Sequence, residues 1–427
     1  MLAAASTGAQ RLPPVRPLGP ITEVSPADLL GSVSMVRPLP NGGVIVNDIT
    51  RRQLLLLDAQ FKRLKTIADT TAATDNTYGA TICGLFVFRG DSSLFLDSRS
   101  LTMLVIDAKG EVARVMAVPN PDDASLMIGG PFGTPSLDAQ GRIVYRGHAE
   151  SGGNDFRARR TEAPVTAASF IDSAAIHRIA IATRERATLT YLTISKPVIS
   201  NLQDATGRIT GTSFLTTPLP VVDDWALMPD GRVAVVRGAD YHVDWLGLDG
   251  RWTTTAKIPH NWQRLDDDAK ERVIDSSRVE AEKERESFKK RVDNLAGNTN
   301  ALMSAVAGPS FSTGVTLTFS RADATSGRPR VEVTVPIVRI AAAKDLPDYR
   351  PAFRMGAARA DVEGNLWVRT TAPSDAGPIY DVINGKGELT DRVKLPYGRV
   401  ISGFGPGVVY MGVQDDKGAR LEMARIK

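Results

Sequence analysis

The chain has 427 residues, 42% of them hydrophobic, enough to bury a large core without disulfides or metal clips. Lys and Arg number 52 against 48 Asp and Glu, a net charge of +4 spread along the chain, so no dense basic tract marks a nucleic-acid groove. Cys83 is the only cysteine, which excludes an internal disulfide and a thiol-ligated zinc centre.

Residues 1–14, "MLAAASTGAQRLPP", lack the basic front and long apolar run of a full signal peptide. Yet Thr7, Gly8 and Ala9 end with the small-x-small spacing of a cleavage site. Two readings stand: a disordered leader, or the remnant of a longer secretory signal. The second places the protein in the periplasm or outside the cell, and without an upstream signal it is cytoplasmic. No run reaches about 18 apolar residues, so no transmembrane helix is expected.

From residue 15 the chain is organised by repeats. Turns of one kind recur as "LDAQ", "DAKG", "DAQG", "PDG", "LDG", "DVEG", "NGKG" and "DDKG". Asp or Asn opens such a turn by bonding its own backbone, and Gly supplies positive φ. Short β-rich runs such as "GVIVND", "SLFLDS", "RVAVVRG" and "NLWVRT" flank them and predict strands. Grouped, the runs give six units of four short antiparallel strands. They start near Ser32, at 82, at 127, at 223, at 350 and near Val400. The sixth has only three strands before Lys427, and "VRPLGPITEVS" at 15–25 supplies the fourth. Closing the ring removes exposed edges, so residues 15–427 are expected to form an all-β, six-bladed propeller, with two stacked β domains as the rival arrangement.

Two insertions interrupt the pattern. One, near 148–184, is a Gly, Ser and Arg-rich excursion from the third unit. The other, near 263–296, is charged and helix-prone, with Asp266 to Asp268 at its start and Gly297 past its end. Its apolar residues form two thin stripes, Leu265, Ala269 and Val273, and Phe288, Val292 and Leu295.

Aligning the units brings polar groups to the exit of each second strand: Asn47 and Asp48, Asp97 and Arg99, Arg146 and His148, Arg237 to His242, Arg369 and Asp375, and Gln414. All second-to-third turns emerge on one face of the disc. Guanidinium forks suit carboxylates and phosphates. Arg146, Arg237, Asp240, Tyr241, His242 and Arg369 are therefore candidate ligand contacts, against the alternative that these arginines form salt bridges holding blade to blade. No P-loop, H-E-x-x-H pair or G-x-S-x-G elbow occurs. The four histidines are dispersed. A calcium or other divalent site from Asp48, Asp97, Asp224 or Asp240 has no spacing motif behind it, so no metal ligand is assigned and the cofactor is unknown.

The pieces "WALMPDGRVAVVRGADYHVDW", "DVEGNLWVRT" and "YDVINGKGEL" resemble a group of bacterial six-bladed propeller proteins, usually exported and mostly without assigned function. "GNLWV" is also similar to NHL-type and streptogramin-lyase-like propellers. Gluconolactonase-like propellers offer an enzymatic analogy through a central divalent metal held by Glu, Asn and Asp, a ligand set not located in this sequence.

The functional expectation is a monomeric, non-catalytic binding or scaffold propeller that recognises a small anionic ligand or a protein, not nucleic acid. The alternative is a lactonase-like hydrolase or lyase with a central-channel site, assisted by Asp224, Arg237, His242 and Asp244.

Overall fold

The computed structural model describes residues 11–71, 78–79, 83–130, 132–151, 170–196, 198–203, 206, 209–294, 316–320, 330–334, 337–374 and 376–427. Residues 1–10 of the expected 1–14 leader, residues 152–169 of the 148–184 insertion, Leu295 and Asp375 lie outside these residues, as do the side chains of Phe288 and Val292.

Blades 1 and 2 are four-stranded antiparallel sheets that start at Met35–Pro38 and Cys83–Val87. Blade 3 starts at Ser136–Leu137 and blade 4 at Asp224–Leu227. Blade 5 starts at Phe353–Ala360 and blade 6 at Arg399–Gly405. The fourth strand of blade 6 comes from the other end of the chain: Ile21–Val24 pairs antiparallel with Gly418–Arg425. Val15–Pro17 also adds a parallel edge to blade 5. Ser25 clamps this junction, accepting from Leu421 N through Oγ. Deleting residues 11–25 leaves the outer edge of the last strand unpaired, while its inner edge keeps Val408–Asp415. The shortened chain is expected to melt at lower temperature and to aggregate, as read by a thermal scan with light scattering.

Strand alternation explains why the sheets stand as a ring. Successive side chains point to opposite faces, so each blade is apolar on both and needs a neighbour on each side. Among the described residues there are six buried clusters, each joining two successive blades. The cluster of Leu30, Val44 and Val46 with Tyr410 and Leu421 joins blade 6 back to blade 1. Blade 4 shows the rule. Trp225, Leu227 and Val235 pack toward blade 3, whereas Ala226, Met228 and Val236 pack toward blade 5.

In blade 3 the second and third strands form a long hairpin, Arg142–Ser151 against Phe170–Ala180. Outside the blades, Val198–Gln203, Ile209–Thr216 and Ile337–Ile340 make a small separate sheet. The charged insertion is one helix, Asp267–Asn294. Asp266 caps it by accepting from Ala269 N. Its buried residues include Lys270 and Ile274, the former bonded to Asp348 at 2.8 Å. The helix packs on the Ile337–Ile340 strand and on the turn Ala343–Asp345. Among the described residues, no helix is long and apolar enough to cross a membrane.

Candidate functional site on the propeller axis

The sequence "DDW" at 223–225 sends its two acids in opposite directions. Asp223 has the parity of Trp225 and turns toward blade 3, where it accepts from Thr193 N at 2.9 Å. Asp224 has the parity of Ala226 and turns toward blade 5, where it accepts from Ala358 N at 2.7 Å. Arg237, His242 and Asp244 lie on the Asp223 side. The four candidate catalytic residues therefore do not converge: Asp224 is on one face of the sheet and the other three are on the opposite face.

Arg237, His242 and Asp244 belong to a chain of ion pairs and hydrogen bonds. Arg237 reaches Asp223 at 2.9 Å and Asp244 at 2.7 Å. His242 bonds Asp240 through Nδ1 at 2.6 Å, and Lys257 lies 3.4 Å from the same carboxylate. Burial works against the Arg237 charge, but Asp244 and Asp223 more than offset it and hold its pKa above the ordinary value. Replacing Arg237 with Met is expected to destabilise the fold by about 1–3 kcal/mol, because the buried Asp223 loses a charged hydrogen bond. Urea denaturation measures this.

Tyr241 takes a different place from the one expected. Its φ is +51°, which folds the ring back from the rim. The side chain is buried against Phe353, and its hydroxyl donates to Asp381 of blade 5 at 2.9 Å. Tyr241 is thus a lock between blades and has no surface with which to meet a ligand. Arg369 is exposed on the second strand of blade 5. Asp48 and Asp97 are consumed by their own turns, accepting from Thr50 N and Arg99 N among others.

Arg146 does occupy a site, and it lies on the axis. It is only 5% exposed, on the second strand of blade 3. Its guanidinium stacks over Phe132 at 4.9 Å, and Nη1 lies 2.7 Å from Met355 Sδ on the inner strand of blade 5. Arg359, on that same inner strand, reaches back to Thr134 at the entry of blade 3, 2.9 Å from Nη1 to Oγ1. Blades 3 and 5 are not neighbours, because blade 4 stands between them. Contacts that join them must pass in front of blade 4's inner strand, which is where Asp224 sits. Three blades therefore contribute Arg146, Asp224 and Arg359 to one axial cluster.

Two local features build it. The inner strand of blade 5 bulges between Phe353 and Ala358, with Gly356 at φ +79°. That bulge turns the amides of Gly356, Ala357 and Ala358 toward the Asp224 carboxylate. On the other side the "FGTP" bend packs its backbone against Trp225. A Cβ on Gly133 would stand 2.5 Å from the Trp225 indole nitrogen, which itself donates to Phe132 O.

The electrostatics of the cluster are unbalanced. Asp224 is 1% exposed, and burial pushes its pKa up to about 6 against the opposing pull of the backbone amides. Burial pushes Arg146 down to about 10, with the Asp224 charge a partial compensation. Arg359 is likewise lowered by burial and partly supported by Tyr380 and Asp224. Yet neither arginine makes an ion pair with Asp224 or with another carboxylate among the described residues. Arg146 Nε is buried without a hydrogen-bond partner. His148, two residues along the same strand, is exposed. Its imidazole is held below its ordinary pKa by the packed protein, with the Asp123 carboxylate opposing the shift and the Arg146 charge adding to it. Among the described residues, no group of three or more His, Cys, Asp or Glu is placed to hold a metal ion.

The raised pKa of Asp224 links stability to pH. The folded value is about 6, above the unfolded value of about 3.9, so the folded protein holds this proton more tightly. Its contribution is full below about pH 4 and is lost as pH rises through 6, a change of about 3 kcal/mol. Urea midpoints from pH 4 to 8 are expected to show this slope in the parent and a flatter one in Asp224→Asn.

Comparisons with known proteins give little beyond the fold. No protein-family profile matches the chain, and no curated protein matches it in sequence. A virginiamycin B lyase from Staphylococcus aureus, solved with quinupristin, is 12% identical over 95% of this chain and 99% of its own, with a TM-score of 0.38. A gluconolactonase from Xanthomonas campestris is 10% identical over 96% and 99%, with a TM-score of 0.35. A duf4221 family member from Bacteroides vulgatus is 10% identical over 96% and 97%, at 0.45. Against the expectation of a non-catalytic scaffold, the similar solved structures include lyases and gluconolactonases. At this identity the likeness shows the fold alone, and activity is argued from this chain's own residues. The chain is a six-bladed β-propeller, similar in fold at 10–12% identity to solved structures that include several enzymes.

Proposed function

We propose that the protein is a hydrolase or lyase that opens a small lactone or ester on the propeller axis. The observation that supports this most is Arg146, a buried guanidinium with, among the described residues, an unpartnered Nε and no carboxylate ion pair. A buried cation left unpaired is costly unless something else completes it. A carbonyl oxygen that becomes negative during reaction completes it in the transition state, where the interaction accelerates the chemistry.

Each residue then has a role. Arg146 and Arg359 receive the negative oxygen. Asp224 is the fixed counter-charge that keeps both guanidinium groups from repelling each other, and it touches no substrate. His148, neutral at pH 7, is the general base at the open edge. In hydrolysis it takes a proton from water, the water oxygen bonds to the carbonyl carbon, and the proton passes to the leaving ester oxygen. In elimination it takes a proton from carbon, and the carbon–oxygen bond breaks as the double bond forms. The substrate is a small molecule, and an additional carboxylate on it suits the arginine pair.

The test is turnover of a panel of γ-lactones, δ-lactones and aryl esters, with products identified by NMR. From a lactone, a hydroxy acid marks hydrolysis and an unsaturated acid marks elimination; from an aryl ester, the free acid and the phenol mark hydrolysis. Turnover by the parent, lost in Arg146→Met, supports the reading, and inactivity of the parent on the whole panel overturns it. We also place the chain with exported bacterial propellers, on the blade sequences quoted above. Recovery of the native protein from the cytoplasmic fraction alone would contradict that placement.

A further inference from the structure

A cavity lies away from the axial cluster, between the ends of blades 4 and 5. Its volume is about 220 Å³, and its wall includes His260, Arg350, Arg392 and Thr371. It shares no lining residue with the axial cluster. Liquid water occupies about 30 Å³ per molecule, so the space fits a compact ligand of a few heavy atoms.

The wall is electropositive and incompletely bonded. Arg350 has its backbone N–H on Gln263 O, but its side-chain Nε is buried with no partner. Its pKa is lowered by burial and then by the like charge of Arg354. Arg392 is anchored through Nε to Asp381 at 3.1 Å, and Asp381 is already shared with the Tyr241 hydroxyl. Among the described residues, one buried carboxylate thus serves Arg392 and none serves Arg350. His260 packs edge-on against Tyr241 and Trp262, and its Nδ1 is also buried without a partner. Burial and the Arg392 charge hold His260 at about 4, so it is neutral near pH 7 and brings no charge of its own.

Among the described residues, two buried nitrogens on one cavity lack partners, the Arg350 Nε donor and His260 Nδ1, which donates in its Nδ1–H tautomer, and Arg392 stands beside them. The geometry points to a small oxyanion, a carboxylate or a phosphate, bound in this cavity by Arg350, Arg392 and the His260 Nδ1–H. The planar Arg350 fork takes two oxygens of either group, which is the chemistry a carboxylate and a phosphate share. The site is distinct from the axial reaction centre and does not depend on the activity proposed there.

The experiment is calorimetric titration of the full chain with sodium phosphate and, separately, with sodium malonate, at pH 7 and low salt. Trp262 fluorescence, referenced to Trp262→Phe, is the second readout. One saturable equivalent of either anion is expected, and whichever binds more tightly identifies the source. Arg350→Gln is expected to weaken binding at least tenfold. Arg350→Lys keeps the charge but not the fork, so it should fall between Arg350→Gln and the parent and should keep the result readable if Arg350→Gln folds poorly. Arg146→Met should retain the equivalent that Arg350→Gln weakens, so a failure here and a failure at the axis can be told apart. No heat with either anion, or equal affinity in parent and Arg350→Gln, overturns the proposal.

Discussion

Arg146→Met is expected to lower kcat/KM on the best lactone or ester by about 10²–10³, the size of effect seen when one oxyanion donor is removed. The same variant is expected to be no less stable than the parent. Arg146 is 5% exposed, with an unpaired Nε and no ion pair, so the fold bears its desolvation without a matching bond. Methionine fills similar space with apolar atoms, and replacing buried charge with packed apolar groups is often neutral or stabilising. A structural role would give the reverse, activity falling only as far as stability falls. Enzyme assays and thermal melts on the same preparations separate the two.

Asp381→Ala carries the largest expected loss of stability, about 3–5 kcal/mol. The carboxylate is 0% exposed and holds two groups: the Tyr241 hydroxyl from blade 4 at 2.9 Å and Arg392 Nε at 3.1 Å. Removing it strands a buried guanidinium and a buried hydroxyl at the interface of two blades. Tyr241→Phe removes one partner but leaves the ion pair, so it should cost only about 1–2 kcal/mol. Urea denaturation of the two single variants and the double variant measures the coupling, which should exceed about 0.5 kcal/mol because the groups touch.

The propeller was legible in the sequence because its signals are local and repeated. Each Asp-x-x-Gly turn fixes a strand end, and alternation then fixes which side chains face which neighbour. The axial cluster was only half legible. Arg146 stood out because it recurs at the exit of a second strand, a position comparable between blades. Arg359 lies on an inner strand, and that comparison never reaches it. The clue to it was Gly356 within "FRMGAARA", since a glycine inside a strand marks a bulge. Tyr241 misled because a non-glycine residue at positive φ is uncommon, and the sequence gives no sign that its ring folds inward. The neighbouring acids Asp223 and Asp224 were readable as a pair, but only the period of two places them on opposite faces. That separation removes Asp224 from Arg237, His242 and Asp244 and gives it to Arg146 and Arg359.

His148 gives the most direct test of the axial site as a reaction centre. The measurement is kcat/KM from pH 5 to 8 for the parent, Asp224→Asn and His148→Gln, on the best substrate from the panel. A base acts when unprotonated, so the parent should gain activity with pH, and packing around His148 places that limb below the ordinary histidine value of 6.5. The account predicts that the limb persists in Asp224→Asn, at lower activity, and disappears in His148→Gln with a loss of about 10²–10⁴. An unchanged rate and pH profile in His148→Gln would contradict it.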